Sequence, residues 1–278
     1  MLSPTLTPPP SVPSEDQERA IPFRGGGFEI GGSHRSVLSW IGAALIIGIW
    51  QLTSDLGFVR QSFLPSPLAV LREIFSLALD GQLWTDLGAS LIRFVIGWSA
   101  GCAIGLAAGI SMGLSPPLRA LGEPLTAALF SVPKIALLPL IILWLGIGEL
   151  SKDVTIAASV FFPMVISTYS SLDSVPRNLI RMAQSFGLHT GAIIWKVLLP
   201  GAVPGLIAGV RISASMGLLT VIVAEMVGAQ HGIGAFTLLA GTLLRSDQVI
   251  AGVVIIALVG ALIGAAISIV EKYLLRWR

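Results

Sequence analysis

Six long stretches of the sequence are almost entirely apolar, and short polar segments separate them. They cover about residues 37–53, 88–114, 118–145, 154–172, 202–227 and 248–273. A helix that crosses a lipid bilayer needs about 20 mostly apolar residues, and only the first stretch is short for that. The pattern therefore predicts an all-α protein, a polytopic membrane helical bundle of about six transmembrane helices.

The composition supports a membrane location. Of the 278 residues, 54% are hydrophobic and 12% are charged, whereas soluble domains carry about 25% charged residues. Because so few charges cannot cover a water-exposed surface, lipid must surround much of the chain. The formal net charge of +2 is too small and too scattered to favour a nucleic-acid partner.

The first 36 residues differ from the rest of the chain. They are rich in Ser, Pro and Gly, and they contain no long apolar run. This composition predicts a disordered cytoplasmic tail over 1–36 and a transmembrane domain over 37–278. With the N-terminus inside, most Lys and Arg residues fall on the inner side of the membrane. The positive-inside rule therefore predicts that both termini are cytoplasmic.

Small residues recur at every fourth position in the second and fifth apolar stretches. They are Gly97, Gly101, Gly105, Gly109 and Gly113 in the second, and Gly201, Gly205, Gly209, Ser213 and Gly217 in the fifth. Residues four apart share a helix face, so each helix has a groove in which another helix can pack closely. Such grooves fit a rigid bundle, and they also fit helices that move past one another.

Two short amphipathic helices are predicted between the fourth and fifth stretches, in a cytoplasmic loop over about residues 173–200. Asp173 or Ser174 can cap the first helix, and Gly187 can end it. One face of this helix carries Leu179, Met182, Ala183 and Phe186. The second helix is expected over about 190–198, with a stop at Pro200. Either the inner lipid leaflet or a soluble cytoplasmic partner can cover such helices, and the pattern favours neither.

This loop resembles the cytoplasmic signature of the permeases of type I ABC importers. That signature reads Glu-Ala-Ala, three residues, Gly, nine residues, then Ile-x-Leu-Pro. Here Arg181-Met182-Ala183 is followed by three residues and Gly187, and nine residues later by Val197-Leu198-Leu199-Pro200. The spacing matches throughout. Because Arg181 stands where the signature has Glu, an ion pair from that Glu to the ATPase is not carried over.

Further motifs extend the resemblance over about residues 60–240. They lie at 63–67, 90–93, 131–133, 143–149, 209–212, 224–226 and 232–234. Together they are similar to the branch of importers for aliphatic sulfonates, taurine, nitrate or bicarbonate.

The resemblance implies a complex in the bacterial inner (plasma) membrane. Two permease copies, expected as a homodimer, would join two cytoplasmic ATPase subunits and a periplasmic or lipoprotein solute-binding protein, with lipid around them. The 173–200 loop would hold a coupling helix, between the fourth and fifth transmembrane helices, that links ATP hydrolysis to import of a small anionic solute. The residues assigned to coupling by the resemblance are Arg181, Met182, Ala183, Phe186, Gly187, Leu199 and Pro200.

Three ionisable residues inside the apolar stretches are candidates for the pathway or its gate. Lys134 lies near the middle of the third stretch, between Pro133 and Pro139, where it can attract an anionic solute. Arg93 and Glu225 both fall toward the outer ends of their stretches. We expect these two to lie close together and to help form an outer gate, with separate snorkelling to the interface as the alternative.

The sequence predicts no catalytic chemistry of its own. It contains no Gly-Lys pair, so a phosphate-binding loop of the Walker type is absent and ATP must be hydrolysed by another chain. The histidines, His34, His189 and His231, lie in the tail and in loops, and we expect no metal and no cofactor. An ATP-independent secondary transporter would favour paired intramembrane carboxylates or repeated halves, which the sequence lacks. Another small organic solute remains an alternative.

Overall fold

The computed structural model describes residues 32–60 and 62–276, and every regular element in these ranges is a helix, which confirms the all-α class. A 3₁₀ helix, Lys134–Leu137, precedes α5, and a π-helical turn, Ile194–Leu198, follows α8. The α-helices are α1 (Gly32–Asp55), α2 (Pro67–Leu79), α3 (Gln82–Leu114), α4 (Pro116–Phe130), α5 (Leu138–Leu145), α6 (Glu149–Asp173), α7 (Arg177–Ser185), α8 (Thr190–Ile193), α9 (Leu199–Met226), α10 (Ile233–Thr242) and α11 (Ser246–Leu274).

Helix α1 belongs, as far as Leu52, to one unit, and the chain from Thr53 onward forms a second unit. The tail predicted over 1–36 lies mostly outside the described residues, because α1 begins at Gly32. All helices from α2 to α11 belong to the second unit.

Four helices in the described ranges are long and apolar enough to cross a membrane, and a bent pair adds a fifth candidate. The four are α3, α6, the continuous helical run Thr190–Met226 and α11. We expected about six spans. The first predicted span lies in α1, which is not among these candidates. Its apolar stretch is shorter than the roughly 20 residues that a span needs. The third is the bent pair.

Pro133 breaks the third predicted span. Proline has no backbone N–H to donate, and its ring clashes with the preceding helical turn. Helix α4 accordingly ends at Phe130, and Pro133 is extended, with φ −69° and ψ 104°. The helix resumes at Lys134, and the two halves meet at an angle of 82°.

Helix α6 lies between α3 and α9, and both rows of small residues face it. A Cβ added to Gly101 of α3 would lie 2.6 Å from the carbonyl oxygen of Ala157. On the other side of α6, a Cβ added to Gly209 of α9 would overlap the Cβ of Ser167. The two grooves predicted from the sequence therefore hold the same helix, and close packing stabilises this three-helix core.

The two ends of the bundle have different connections. The 173–200 loop joins α6 to α9 at one end, called the loop end below. At the opposite end, α2 precedes α3, and α10 lies between α9 and α11. Helix α2 begins where the Ser66 side chain accepts the backbone N–H of Ala69 at 3.2 Å, a common helix cap. Helix α10 was not predicted, because ten residues are too few for a span.

Candidate functional site

Helix α7 in the 173–200 loop presents apolar side chains to the outside of the chain. Phe186, which follows its last residue, is 77% exposed, and Met182 is 54% exposed. Leu179 and Arg181 are exposed as well. Ala183, by contrast, is only 3% exposed. The face predicted from the sequence is therefore divided, with Ala183 packed inside the chain and the larger side chains turned outward.

Gly187 ends this helix as predicted. Its φ of +72° lies in the left-handed region that favours glycine. The backbone N–H of Gly187 donates to the carbonyl of Gln184 at 2.9 Å, and that of Leu188 donates to the carbonyl of Ala183 at 3.2 Å. These bonds satisfy carbonyl groups at the helix end, and the sharp turn leaves Phe186 at the tip of the loop.

The predicted cap of α7 was wrong. The helix starts at Arg177, so Pro176 occupies the cap position, and its side chain has no oxygen that could accept a backbone N–H. Ser174 instead donates its hydroxyl to the carbonyl of Ser171 at 2.7 Å. Asp173 is the last residue of α6 and pairs with Arg119.

The predicted stop at Pro200 was also wrong. Residues Thr190–Met226 form one helical run, and Pro200 is the second residue of α9. The π-helical turn Ile194–Leu198 directly precedes it. A π turn is wider than an α turn, so it accommodates the proline ring that an α-helical interior would exclude. Leu199 and Pro200 are half-buried at this junction.

The base of the 173–200 loop is anchored in the bundle. Val175 is 3% exposed and packs in one apolar cluster with Leu172 of α6 and Ala202 of α9. Ala192 and Ile193 of α8 are buried too. This packing ties the loop to the ends of α6 and α9.

At the opposite end of the bundle, Arg93 of α3 joins two other long helices. Its guanidinium donates to Glu225 of α9 at 2.7 Å and to Glu149, the first residue of α6, with Nη2–Oε1 at 3.0 Å. It also donates to the carbonyl of His231 at 2.7 Å. Lys152 donates to Glu149 at 3.1 Å. We call Arg93, Glu149, Lys152 and Glu225 the Arg93 cluster. The expected proximity of Arg93 and Glu225 is confirmed.

Burial separates Glu149 from the other three residues of the Arg93 cluster, and the side chain of Lys152 is only 7% exposed. The side chains of Glu225 and Arg93 are 0% and 8% exposed, whereas that of Glu149 is 59% exposed. A buried carboxylate needs donors because an isolated charge is very unfavourable away from water. Glu225 has them, since it also accepts the hydroxyl of Ser90 at 3.0 Å and the backbone N–H of Gly234 at 2.9 Å.

The same region fixes the start of α10. Asp86 accepts the backbone N–H of Gly232 at 2.9 Å, and Ser90 accepts that of Ile233 at 3.0 Å. With Glu225 on Gly234, three consecutive backbone donors at a helix start are satisfied by side chains from α3 and α9. Gly232 has φ +136°, and a Cβ there would overlap the carboxyl group of Glu225.

Sequence reasoning missed Glu149, Asp86 and the role of Gly232. A signal was present, because the motifs at 90–93, 143–149, 224–226 and 232–234 all meet in this region. Their separation along the chain concealed that they form one structure. Beside them opens a cavity of about 800 Å³, lined in part by Asp80, Asp86 and His231 and, among residues 32–60 and 62–276, by no Lys or Arg.

Lys134 lies apart from the Arg93 cluster, at the break between α4 and α5. Its ammonium donates to the carbonyls of Leu129 and Phe130, at 2.8 and 2.6 Å, and so caps the end of α4. It also lies over the rings of Phe130 and Phe162, at 5.1 and 4.6 Å from their centroids. These contacts use two of the three ammonium donors and hold the charge beside the broken helix.

Within residues 32–60 and 62–276, no group of three or more His, Cys, Asp or Glu side chains is arranged to hold a metal ion.

Comparisons with known proteins agree with this architecture. Residues 101–278 match the family described as binding-protein-dependent transport system inner membrane component. The chain is 39% identical to SsuC of Escherichia coli (strain K12), which is named for aliphatic sulfonates transport, over 87% of this chain and 92% of that protein. It is 35% identical to the taurine transport system permease protein TauC of the same strain, over 84% and 87%.

Solved structures share the fold. A chain of an amino acid ABC transporter matches with a TM-score of 0.58 and 14% identity, over 74% of this chain and 98% of that chain. A chain of the MetNI methionine ABC transporter, in an inward-facing conformation, matches with a TM-score of 0.54 and 21% identity, over 68% and 98%. Sequence identities this low show only that the folds are similar.

Proposed function

This chain belongs to the family of binding-protein-dependent transport inner membrane components and is thus the non-catalytic permease of an ABC importer. From this premise we propose that its 173–200 loop docks the ATPase and that its helices carry a small sulfonate. Such an importer works with an ATPase and a solute-binding protein. The finer arrangement is two copies of this chain as a homodimer, two ATPase subunits, and both termini in the cytoplasm.

The exposed apolar tip of the 173–200 loop carries the docking proposal. Phe186 and Met182 are exposed on a segment whose base is buried in the bundle. Aromatic and Met side chains are enriched at protein interfaces, and a short helix fits a groove on a partner. Because the base is anchored, a force applied to α7 reaches α6 and α9 directly.

A labelling experiment tests the side on which the loop lies. The single cysteine, Cys102, is replaced by Ala, and Ser185→Cys or Leu244→Cys is introduced at opposite ends of the bundle. In right-side-out vesicles, a membrane-impermeant maleimide should label Leu244→Cys and spare Ser185→Cys, and inverted vesicles should reverse the result. Labelling of Ser185→Cys from outside the cell would refute docking of an ATPase by this loop.

The solute proposal starts from the relatives named for aliphatic sulfonates and taurine, which are 39% and 35% identical to this chain. Lys134 supports an anionic solute, since its half-buried ammonium lies where the helix is broken within the bundle. Broken helices within a membrane are tolerated where they line a cavity or are buried in protein.

Uptake into proteoliposomes tests this proposal. The permease, its ATPase and its binding protein are reconstituted, and ATP-dependent uptake of labelled taurine and ethanesulfonate is measured in competition with nitrate, bicarbonate and a neutral sugar. We expect the sulfonates to be carried. Lys134→Met should lower uptake about tenfold, as for a lost interaction of about 1.4 kcal/mol, while Lys134→Arg should retain most of it. Equal uptake by both variants would exclude a role for the charge, and absent sulfonate uptake would exclude the solute.

We assign an outer gate to the Arg93 cluster. Separating Arg93 from the fully buried Glu225 would leave an unpaired charge in a dry site, whereas Glu149 is exposed enough to be hydrated when it leaves Arg93. We therefore expect the ion pair between Arg93 and Glu149 to open while the ion pair between Arg93 and Glu225 persists. A double-mutant cycle on transport, with Arg93→Lys and Glu149→Gln, should show coupling. Additive effects of the two substitutions on transport would contradict the proposed gate.

A further inference from the structure

A second charge network ties α4 to α6 at the loop end. The guanidinium of Arg119 forms a fork on Asp173, with Nη1–Oδ1 at 2.7 Å and Nη2–Oδ2 at 2.6 Å. Its Nε donates to Glu123 at 3.1 Å, and its carbon lies 5.4 Å from the centre of the Tyr169 ring. Two-pronged Arg–carboxylate pairs are geometrically specific, so this contact fixes the orientation of α4 on α6.

The position of Asp173 is unusual for an acidic residue. It is the last residue of α6, where the helix dipole favours cations and disfavours a carboxylate. Arg119 supplies the missing positive charge from another helix. Both partners are partly exposed, at 33% and 45%, where single ion pairs contribute little to stability. The fork and the contact with Glu123 strengthen this pair, and its position between α4 and the end of α6 suggests a role beyond stability.

Asp173 stands directly before the 173–200 loop. Two residues later, Val175 is locked in the apolar cluster with Leu172 and Ala202, so a displacement of the loop moves the end of α6 with it. Arg119 then passes that displacement to α4. At its other end α4 reaches the break at Pro133 and the ammonium of Lys134.

We propose that the Arg119–Asp173 ion pair is the positioning contact that transmits movement of the 173–200 loop to the broken helix α4–α5. The inference rests on docking of the ATPase by this loop. In this proposal both residues act through α4. Loss of the pair should leave ATP hydrolysis in place and should reduce the solute moved per ATP.

Charge exchange in the reconstituted complex tests the proposal. Arg119→Asp and Asp173→Arg are made singly and together, and solute uptake per ATP hydrolysed is measured beside co-purification of the ATPase. Each single variant should lower uptake per ATP by about fivefold or more, within the usual range of allosteric coupling. The double variant restores the ion pair in reverse and should recover most of the loss. A simple structural defect would not be repaired by reversal.

The chain supplies a matched control in Arg211 and Glu271. This pair joins α9 to α11 with an N–O distance of 2.5 Å and similar exposure, 49% and 35%, but it adjoins neither the 173–200 loop nor the broken helix. Arg211→Asp should leave uptake per ATP unchanged. Single Arg119 and Asp173 variants that couple normally, or a double variant that recovers nothing, would overturn the proposal. Failure of the unaltered chain to co-purify with the ATPase would instead refute the docking on which it rests.

Discussion

At the end of the bundle opposite the loop, Arg93 and Glu225 find all their partners within this chain, whereas at the loop end Phe186 and Met182 lie exposed outside it. The first region is polar, buried and held by hydrogen bonds from three long helices. The second is apolar and exposed on a short helix. Charged residues usually lie at a protein surface and large apolar residues in its interior, so each region reverses the usual distribution.

The difference separates interactions that are made within the chain from side chains that the chain leaves exposed. A buried charge must be satisfied inside the chain, because nothing arriving later can reach it. An exposed Phe on an anchored loop can be covered by another protein or by the inner lipid leaflet, and we propose the ATPase. Variants of the Arg93 cluster should thus change the stability of the bundle, and variants at the tip of the 173–200 loop should change assembly if the proposed docking holds. Variants should separate these two readouts.

The largest effect should follow from Glu225→Ala. It leaves the guanidinium of Arg93 and the N–H of Gly234 without their buried acceptor, and loss of one partner of a buried pair costs about 3–5 kcal/mol. The apparent Tm in detergent should fall sharply. Glu225→Gln, which keeps acceptors for Ser90 and Gly234, should lose less. Equal Tm values for the Ala variant and the unaltered chain would contradict the buried network.

Gly232→Ala should come next. Its φ of +136° is a region that only glycine adopts readily, and the new Cβ would meet the Glu225 carboxyl group. Backbone strain of about 1–3 kcal/mol adds to the steric clash, so we expect about 2–4 kcal/mol of destabilisation. Thermal unfolding in detergent measures it. Gly228→Ala, at φ +103° but with nothing within 4 Å, is the control that isolates strain from clash.

Phe186→Asp should separate assembly from stability. Removing an interface anchor weakens binding by about 2 kcal/mol or more, so co-purification of the ATPase should drop. The bundle itself should be nearly unaffected, because surface substitutions change stability by about 0.5 kcal/mol or less. Leu244→Asp, at an 85% exposed residue of the opposite end, should retain the ATPase. A Phe186→Asp variant that kept its ATPase would show that the tip is not an anchor.

The smallest effect is expected from Gly187→Ala. Its φ of +72° disfavours alanine, but nothing lies within 4 Å of the new Cβ, so only the left-handed penalty of about 1–2 kcal/mol applies. Because that strain stays in the loop, ATPase binding should weaken modestly while the Tm of the bundle holds. Gly187→Asn, which tolerates this conformation better, should lie between Ala and Gly. A fall in Tm as large as that of Gly232→Ala would show that strain at the loop end destabilises the bundle as much as strain at the opposite end.

Much of the helical layout could be predicted from the sequence, because runs of apolar residues and four-residue spacing are local patterns. The periodic glycines indicated close packing, and the structure adds that both rows meet α6. Gly187 ended its helix as expected. The proximity of Arg93 and Glu225 was also predicted, since both lie at equivalent depths in their spans and a buried charge requires a partner.

Other features depend on contacts that the sequence does not reveal. Ala183 shares a helix face with Phe186 in a projection, yet it is buried because the chain covers that side. The helix runs through Pro200 because a π turn precedes it, and the residue pattern does not predict a π turn. Glu149 falls between two predicted spans in the sequence and is the first residue of α6 in the structure, so only the meeting of three helices shows that it contacts Arg93.

The placement of α6 between two rows of small residues limits how this chain can vary. Val160 is fully buried, and its side chain would lie 2.9 Å from a Cβ added to Gly101 and 3.1 Å from one added to Gly217. One extra methylene at Val160 would therefore press on two neighbouring helices at once. Relief would need simultaneous changes on both, and stepwise substitution rarely supplies them together. Sequence drift in this family member should thus be slowest along that shared seam and fastest on largely exposed helices such as α11.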